Sequence, residues 1–158
     1  ILCQQFAKGA EEAGHQAELV RVHDLQIGPC RACYGCRTTK VCVQKDDMTA
    51  LLEKLIAADV IVLATPVYFY TMDGQMKIMI DRTLPRYTEI ADKEFYLIAA
   101  AADGKETMER TMDGLCGFLD CLPGAKLKGK IYGAGVYQKG EVRDTQAMEQ
   151  AYQYGRQC

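Results

Sequence analysis

A chain of 158 residues, 49% apolar and 25% charged, is long enough to bury a core without disulfide staples. Its formal net charge is −2 with Lys and Arg interspersed among Asp and Glu, so no basic stripe marks a nucleic-acid surface. The longest apolar run, residues 60–70, contains Pro66 and is too short to span a membrane.

Leu2, Phe6, Ala10 and Ala13 recur at helical spacing, and Gly14 closes the segment as a C-terminal cap. Alternation over residues 17–22 predicts a strand. A cysteine-rich loop follows, residues 28–44. Asp46 and Asp47 stand before Met48, Leu51, Leu52, Leu55 and Ile56, where acidic residues suit the positive end of a helix. Val60, Ile61, Val62, Leu63 and Ala64 form an unbroken apolar run, which predicts a strand covered on both faces. The chain is expected to leave that strand as a loop from Thr65 to Tyr70. Met76, Met79, Ile80 and Leu84 predict a helix stopped by Pro85. Residues 94–100 predict another strand, opening into a loop at Ala102, Asp103 and Gly104. Met108, Met112, Leu115, Leu119 and Leu122 mark a long helix that ends at Pro123 and Gly124. Residues 130–136 predict a last strand, whose glycines imply close packing, and Met148, Ala151, Tyr152 and Gly155 line a closing helix.

Strict alternation of helix and strand predicts a single α/β domain over residues 1–158, a doubly wound parallel sheet of flavodoxin-like order 2-1-3-4-5. The chain opens on Ile1, inside a helical pattern, so the first strand of that order is expected to precede it. In such sheets ligands bind beyond the carboxyl ends of the strands. Two segments leave strands at that edge: residues 65–72 and residues 101–104. The first offers backbone N–H groups, the aromatic faces of Tyr68 and Phe69, and the hydroxyl of Thr71. A flat flavin ring needs an apolar slot with backbone donors at its rim. The same aromatics could instead cover the core or a partner.

The stretch Ala64, Thr65, Pro66, Val67, Tyr68, Phe69, Tyr70, Thr71, Met72, then Gly74, Gln75, Met76, Lys77 and Ile80, Asp81, Arg82, resembles the NADPH-dependent FMN reductase family. So does the cysteine loop that begins at Pro29 and is followed by Asp46, Asp47 and Met48. The resemblance is to the branch that includes the iron–sulfur flavoproteins, and it covers nearly the whole chain. It implies a flavodoxin-like fold and a homodimer or homotetramer with FMN near a subunit interface. It also implies that Thr65, Pro66, Val67, Tyr68, Phe69 and Thr71 line the flavin, with Ala102, Asp103 and Gly104 at its other edge. The family's phosphate-binding loop would precede Ile1.

Cys30, Cys33, Cys36 and Cys42 are spaced C-x2-C-x2-C-x5-C, as in the compact motif of iron–sulfur flavoproteins. Four thiolates in such a run can hold a 4Fe–4S cluster. Zinc and free thiols are the other readings of the same residues. Arg31, Arg37 and Lys40 would offset the charge of either metal site. Eight cysteines without a secreted scaffold point to a reducing cytoplasm. Cys3, Cys116 and Cys121 lie in helical patterns and read as buried small apolar residues. Asp46 and Asp47 read as helix-start residues, and Asp81 and Arg82 as packing or subunit-contact residues.

Three functions fit. The first is NAD(P)H-dependent reduction of a flavin, a quinone or a similar acceptor, with a nicotinamide giving hydride to FMN and no catalytic side chain required. The second is an electron carrier joining FMN to a 4Fe–4S cluster and a protein partner such as ferredoxin. The third is a flavin-binding or thiol-sensing protein without turnover.

Overall fold

The computed structural model describes all of residues 1–158. In chain order the elements are α1 (Leu2–Glu12), α2 (Cys36–Thr39), α3 (Met48–Ala57), β1 (Val60–Tyr68), β2 (Thr71–Met72), α4 (Gly74–Arg82), β3 (Glu94–Ala100), α5 (Glu109–Leu119), β4 (Lys126–Gly133) and α6 (Gln146–Gln157). The sheet order is β2-β1-β3-β4. β1, β3 and β4 are parallel, with Val60 level with Glu94 and Glu94 level with Lys126. This is the flavodoxin-like α/β arrangement expected from the helix–strand alternation.

Alternating side chains of each strand feed two cores, as a pleat requires. Ile61 and Leu63 of β1, with Phe95, Leu97 and Ala99 of β3, join Met48, Leu51, Met76, Met79, Met112 and Leu115 on one face. Those partners come from α3, α4 and α5. Tyr96 and Ile98 of β3, with Ile131 of β4, join Leu2, Phe6, Ala147 and Ala151 on the other face, under α1 and α6. The Phe6 ring meets Tyr96 edge-on at 4.9 Å, which ties α1 to the sheet. β4 is an edge strand, and it carries Lys126, Lys128 and Lys130. Charges of that kind discourage pairing with another chain.

Three expectations from the sequence need correction. Residues 17–22 form no strand. A ladder needs a hydrogen-bonding neighbour, and no segment of the chain pairs with them. Val20 and Val22 still pack against the main core, so the apolar alternation is used for burial alone. On the side away from β3, β1 is paired only at Val67 and Tyr68, and its edge from Val60 to Pro66 stays open. Secondly, β1 does not end at Ala64. It continues through Tyr68 and turns back into β2, so Thr65 to Tyr68 belong to a strand and not to a loop. Thirdly, the last strand runs over Lys126–Gly133, four residues ahead of the expected start, because Lys126 pairs with Glu94 at the beginning of β3.

α1 and α6 cross in close contact. A Cβ at Gly9 would run into the Tyr152 carbonyl, and one at Gly155 into the Phe6 carbonyl. Gly117, inside α5, faces open space. Gly155→Ala is therefore expected to lower stability by about 1–3 kcal/mol through overpacking. Gly117→Ala is expected to raise it by about 0.4–1 kcal/mol by restricting the unfolded chain. Urea unfolding of both variants checks the opposite signs.

Candidate functional site

Parallel strands put their outgoing loops at one edge. The β1–β2 hairpin, the loop after β3 and the loop after β4 all leave there. The hairpin turn is Phe69-Tyr70, with φ of 50° and 65°. Two positive φ values in a two-residue turn match the twist of a hairpin, but non-glycine residues hold them only at a cost of about 1–3 kcal/mol each. Neither ring recovers that cost by burial: Phe69 is 99% exposed and Tyr70 53%. Tyr68, beside them, is 60% exposed. The Arg110 guanidinium stands 5.7 Å from the Tyr70 ring centre, and Met72 touches the α5 helix beside Gly114. The hairpin thus presents three aromatic rings at the edge where such sheets bind ligands.

Thr65 is part of the support, not a free hydroxyl. It is buried, donates to the Pro66 carbonyl at 2.8 Å and accepts from the Asp73 N–H at 3.0 Å. Asp73 caps α4 by accepting from the Met76 N–H at 2.7 Å. One chain of bonds therefore links the end of β1 to the start of α4. Pro66 and Val67 are half-buried, and Thr71 is exposed at the base of the hairpin. Ala102, Asp103 and Gly104 are exposed across the sheet edge. Their loop is held from behind: Gly135 N–H donates to the Asp103 carbonyl, and Val136 N–H to the Ala101 carbonyl, each at 2.9 Å. Lys105 lies 4.5 Å over the Tyr132 ring, whose hydroxyl donates to Glu109 at 3.3 Å. Burial, reinforced by the Glu109 carboxylate, pushes the Tyr132 hydroxyl up to about 12, so it stays protonated. The exposed rings of the hairpin and the 101–104 loop thus leave the sheet at the same edge.

One cavity lies elsewhere. A space of about 360 Å³ opens between the end of α5 and the start of β4, lined by Cys116, Leu119, Leu122 and Leu127. It sits at the opposite end of the strands and holds no charged side chain except Asp120.

The cysteine loop forms a second locality. Cys30 and Cys33 are exposed, Cys36 and Cys42 half-buried, and all eight cysteines are free thiols. Cys30, Cys33, Cys36 and Cys42 border one small pocket with Tyr34, Pro85 and Arg82. No three Cys, His, Asp or Glu side chains converge on a point that could hold a metal ion. The expected 4Fe–4S or zinc ligand set is therefore not assembled: the loop brings the thiols to one pocket without closing them around a centre. Of the cations expected to serve a metal there, Arg37 stacks 4.7 Å from the Tyr34 ring and Arg31 lines the pocket. The exposed Cys121 and half-buried Cys3 and Cys116 are not fully buried apolar residues as their helical spacing suggested.

The fully buried cation of this region is Arg82, 1% exposed. Its Nη1 and Nη2 donate to Asp46 Oδ2 and Oδ1 at 2.7 and 2.8 Å, and Nη1 also to the Gly28 carbonyl at 2.7 Å. Asp46 accepts in addition from the Gly28 and Met48 N–H groups, so one carboxylate joins the cysteine loop, the start of α3 and the end of α4. The Arg82 guanidinium holds the Asp46 carboxyl below the usual aspartate range. Asp46 does serve the helix start, as its position implied, but the pairing with Arg82 was not foreseen. A signal existed: Met76, Met79 and Arg82 recur on the buried stripe of α4, and an arginine in a core stripe requires an acid.

Asp46→Asn is expected to cost about 3–5 kcal/mol, since it leaves the Arg82 charge buried without a counter-charge. A depressed carboxyl pKa in the fold makes that contribution complete above about pH 4, the ordinary aspartate value, and lost as pH falls through the folded value. Thermal unfolding of both proteins from pH 7 to pH 2 should show the difference shrink at the acid end.

Residues 1–123 match the family model of the NADPH-dependent FMN reductases. An iron–sulfur flavoprotein of Archaeoglobus fulgidus is 39% identical over 83 residues, which are 52% of this chain and 41% of that protein. A second iron–sulfur flavoprotein of the same organism is 32% identical over 144 residues, 87% of this chain and 73% of its own. The chain thus spans about two fifths of the length of the first of these relatives. The structure of an FMN-dependent NADH-azoreductase from Bacillus anthracis superposes with a TM-score of 0.71 over 99% of this chain and 89% of that one. At 12% identity, that likeness concerns the fold alone. With more than three quarters of its length matched and its sheet edge built as described, this chain belongs to the NADPH-dependent FMN reductase family of flavodoxin-like proteins.

Proposed function

We propose that the chain is the FMN-binding domain of an NAD(P)H-dependent oxidoreductase that reduces a flavin, a quinone or a similar small acceptor. The observation that carries this reading is the β1–β2 hairpin: three exposed aromatic rings held at the ligand-binding edge by strained backbone. FMN, when bound, supplies the hydride chemistry. The protein's own tasks are narrower. Tyr68 and Phe69 give the ring an apolar wall, Pro66 and Val67 set the direction of the chain beneath it, and Thr71 stands at the base of the hairpin. Ala102, Asp103 and Gly104 border the opposite side. Thr65 keeps the hairpin attached to the start of α4. Tyr132, kept protonated, is a hydroxyl and not an anion behind the Asp103 loop. A homodimer or homotetramer in which a second copy covers Phe69 would exclude water from the remaining side.

Several relatives are iron–sulfur flavoproteins, but the electron-carrier reading with a ferredoxin partner has no support in this chain. The thiols of this chain do not converge as a metal site, so no electron route through them is assigned. No helix is long and apolar enough to cross a membrane.

Reconstitution with FMN, followed by NADH and NADPH oxidation with a quinone acceptor, tests the proposal. Flavin absorption with acceptor-dependent oxidation is the expected result, and absence of flavin binding would sink it. Tyr68→Ala is expected to weaken FMN retention by about 0.5–1.5 kcal/mol of lost ring stacking, roughly 2- to 13-fold in Kd, read by fluorescence titration.

A further inference from the structure

The flavin wall leaves Tyr70 and Arg110 unused. Tyr70 follows Phe69 in the hairpin turn, exposed and on left-handed backbone. Its ring meets the Arg110 guanidinium, which stands 5.7 Å from the ring centre. Gly114, one turn further along α5, lies against Met72 of β2, so one face of the helix carries both contacts with the hairpin. Arg110 does little for the fold. It stands in the first turn of α5, where the positive end of a helix disfavours a cation. It is exposed, and no carboxylate lies within ion-pairing distance of it. Glu106 and Asp113, the acids before and after it along that face, are exposed and form no ion pair, and Glu109 accepts from Tyr132 instead. A guanidinium laid against a ring and left without an acid offers its planar fork of donors to a ligand. That fork matches two oxygens of a phosphate.

We propose that Arg110 is a specificity-determining residue of the reductase site and grips a phosphate of the nicotinamide coenzyme. The inference rests on the reductase reading, and that reaction selects the ligand. Its acceptor can be neutral, but a nicotinamide dinucleotide always carries phosphates. Phe69 and Tyr70 are neighbours in the turn, which sets the guanidinium beside the flavin wall and not in it. Arg110 touches no reacting atom. It holds the coenzyme, so its removal acts on KM and not on kcat.

The test is calorimetric titration of NADP+ into the chain, with and without FMN. Binding in the millimolar range or tighter is expected. Arg110→Gln is expected to raise the Kd about tenfold, with Arg110→Lys in between because it keeps the charge and loses the fork. Lys126→Gln makes the same charge change at the opposite end of the strands and is expected to leave the Kd within about twofold. In turnover, Arg110→Gln is expected to raise the KM for NADPH about tenfold and leave kcat within about twofold. Circular dichroism confirms that the variants fold. Four results overturn the proposal: no NADP+ binding, an unchanged Kd in Arg110→Gln, an equal loss in Lys126→Gln, or a weakened grip on FMN with none on NADP+, which assigns Arg110 to the flavin phosphate. Failure to take up FMN counts against the reductase reading, and the titration of the flavin-free chain still decides the role of Arg110.

Discussion

Parallel strands cannot be joined by tight turns, and each of their faces must be covered. That constraint governs this protein. Between β1 and β3, and again between β3 and β4, the chain must cross over, and α4 and α5 are those crossovers. Their apolar stripes fill one face of the sheet while α1 and α6 fill the other. Phe95, Leu97 and Ala99 point one way and Tyr96 and Ile98 the other, so a single strand, β3, serves both cores. The same rule delivers every outgoing loop to one edge, and it is this edge that the aromatic hairpin occupies.

Around the edge, stability and function pull apart. The Thr65, Asp73 and Met76 bonds fix the base of the hairpin, and the 133–136 segment fixes the 101–103 segment. These supports are well paired, and Thr65 and Met76 are buried. What they hold out is not: Phe69 and Tyr70 combine left-handed backbone with exposed rings. Local strain with no compensating burial belongs where a ligand or a second chain supplies the missing contact. The cysteine pocket repeats the pattern. The Arg82–Asp46 pair is a rigid anchor, and the thiols in front of it are partly exposed on a loop bent through three left-handed residues.

Much of the fold was legible in the residues because its cause is periodic. The stripes at Leu2, Phe6 and Ala10, at Met48, Leu51 and Leu52, and at Met112, Leu115 and Leu119 are helices in the structure with those side chains buried. The apolar runs from Val60 and from Glu94 are parallel strands; β3 is buried on both faces, β1 on one face with the other half-buried. The stretch from Ala64 to Met72 carried the family resemblance, which the match over residues 1–123 bears out. Where local pattern lacked a partner, the reading failed. Residues 17–22 alternate correctly but have no neighbour to pair with. Thr65 to Tyr68 look like loop after an apolar run, yet β2 folds back and keeps them in a ladder.

The sequence by itself determined which side chains face a core and which residue types stand at the sheet edge, since both follow from spacing within about ten positions along the chain. Only the tertiary structure decided the rest. It paired Arg82 with Asp46 across 36 residues, turned the Thr65 hydroxyl inward, and brought four thiols to one pocket without closing them on a centre. Such contacts join segments whose separation in sequence carries no period. They are set by which elements the crossovers bring side by side.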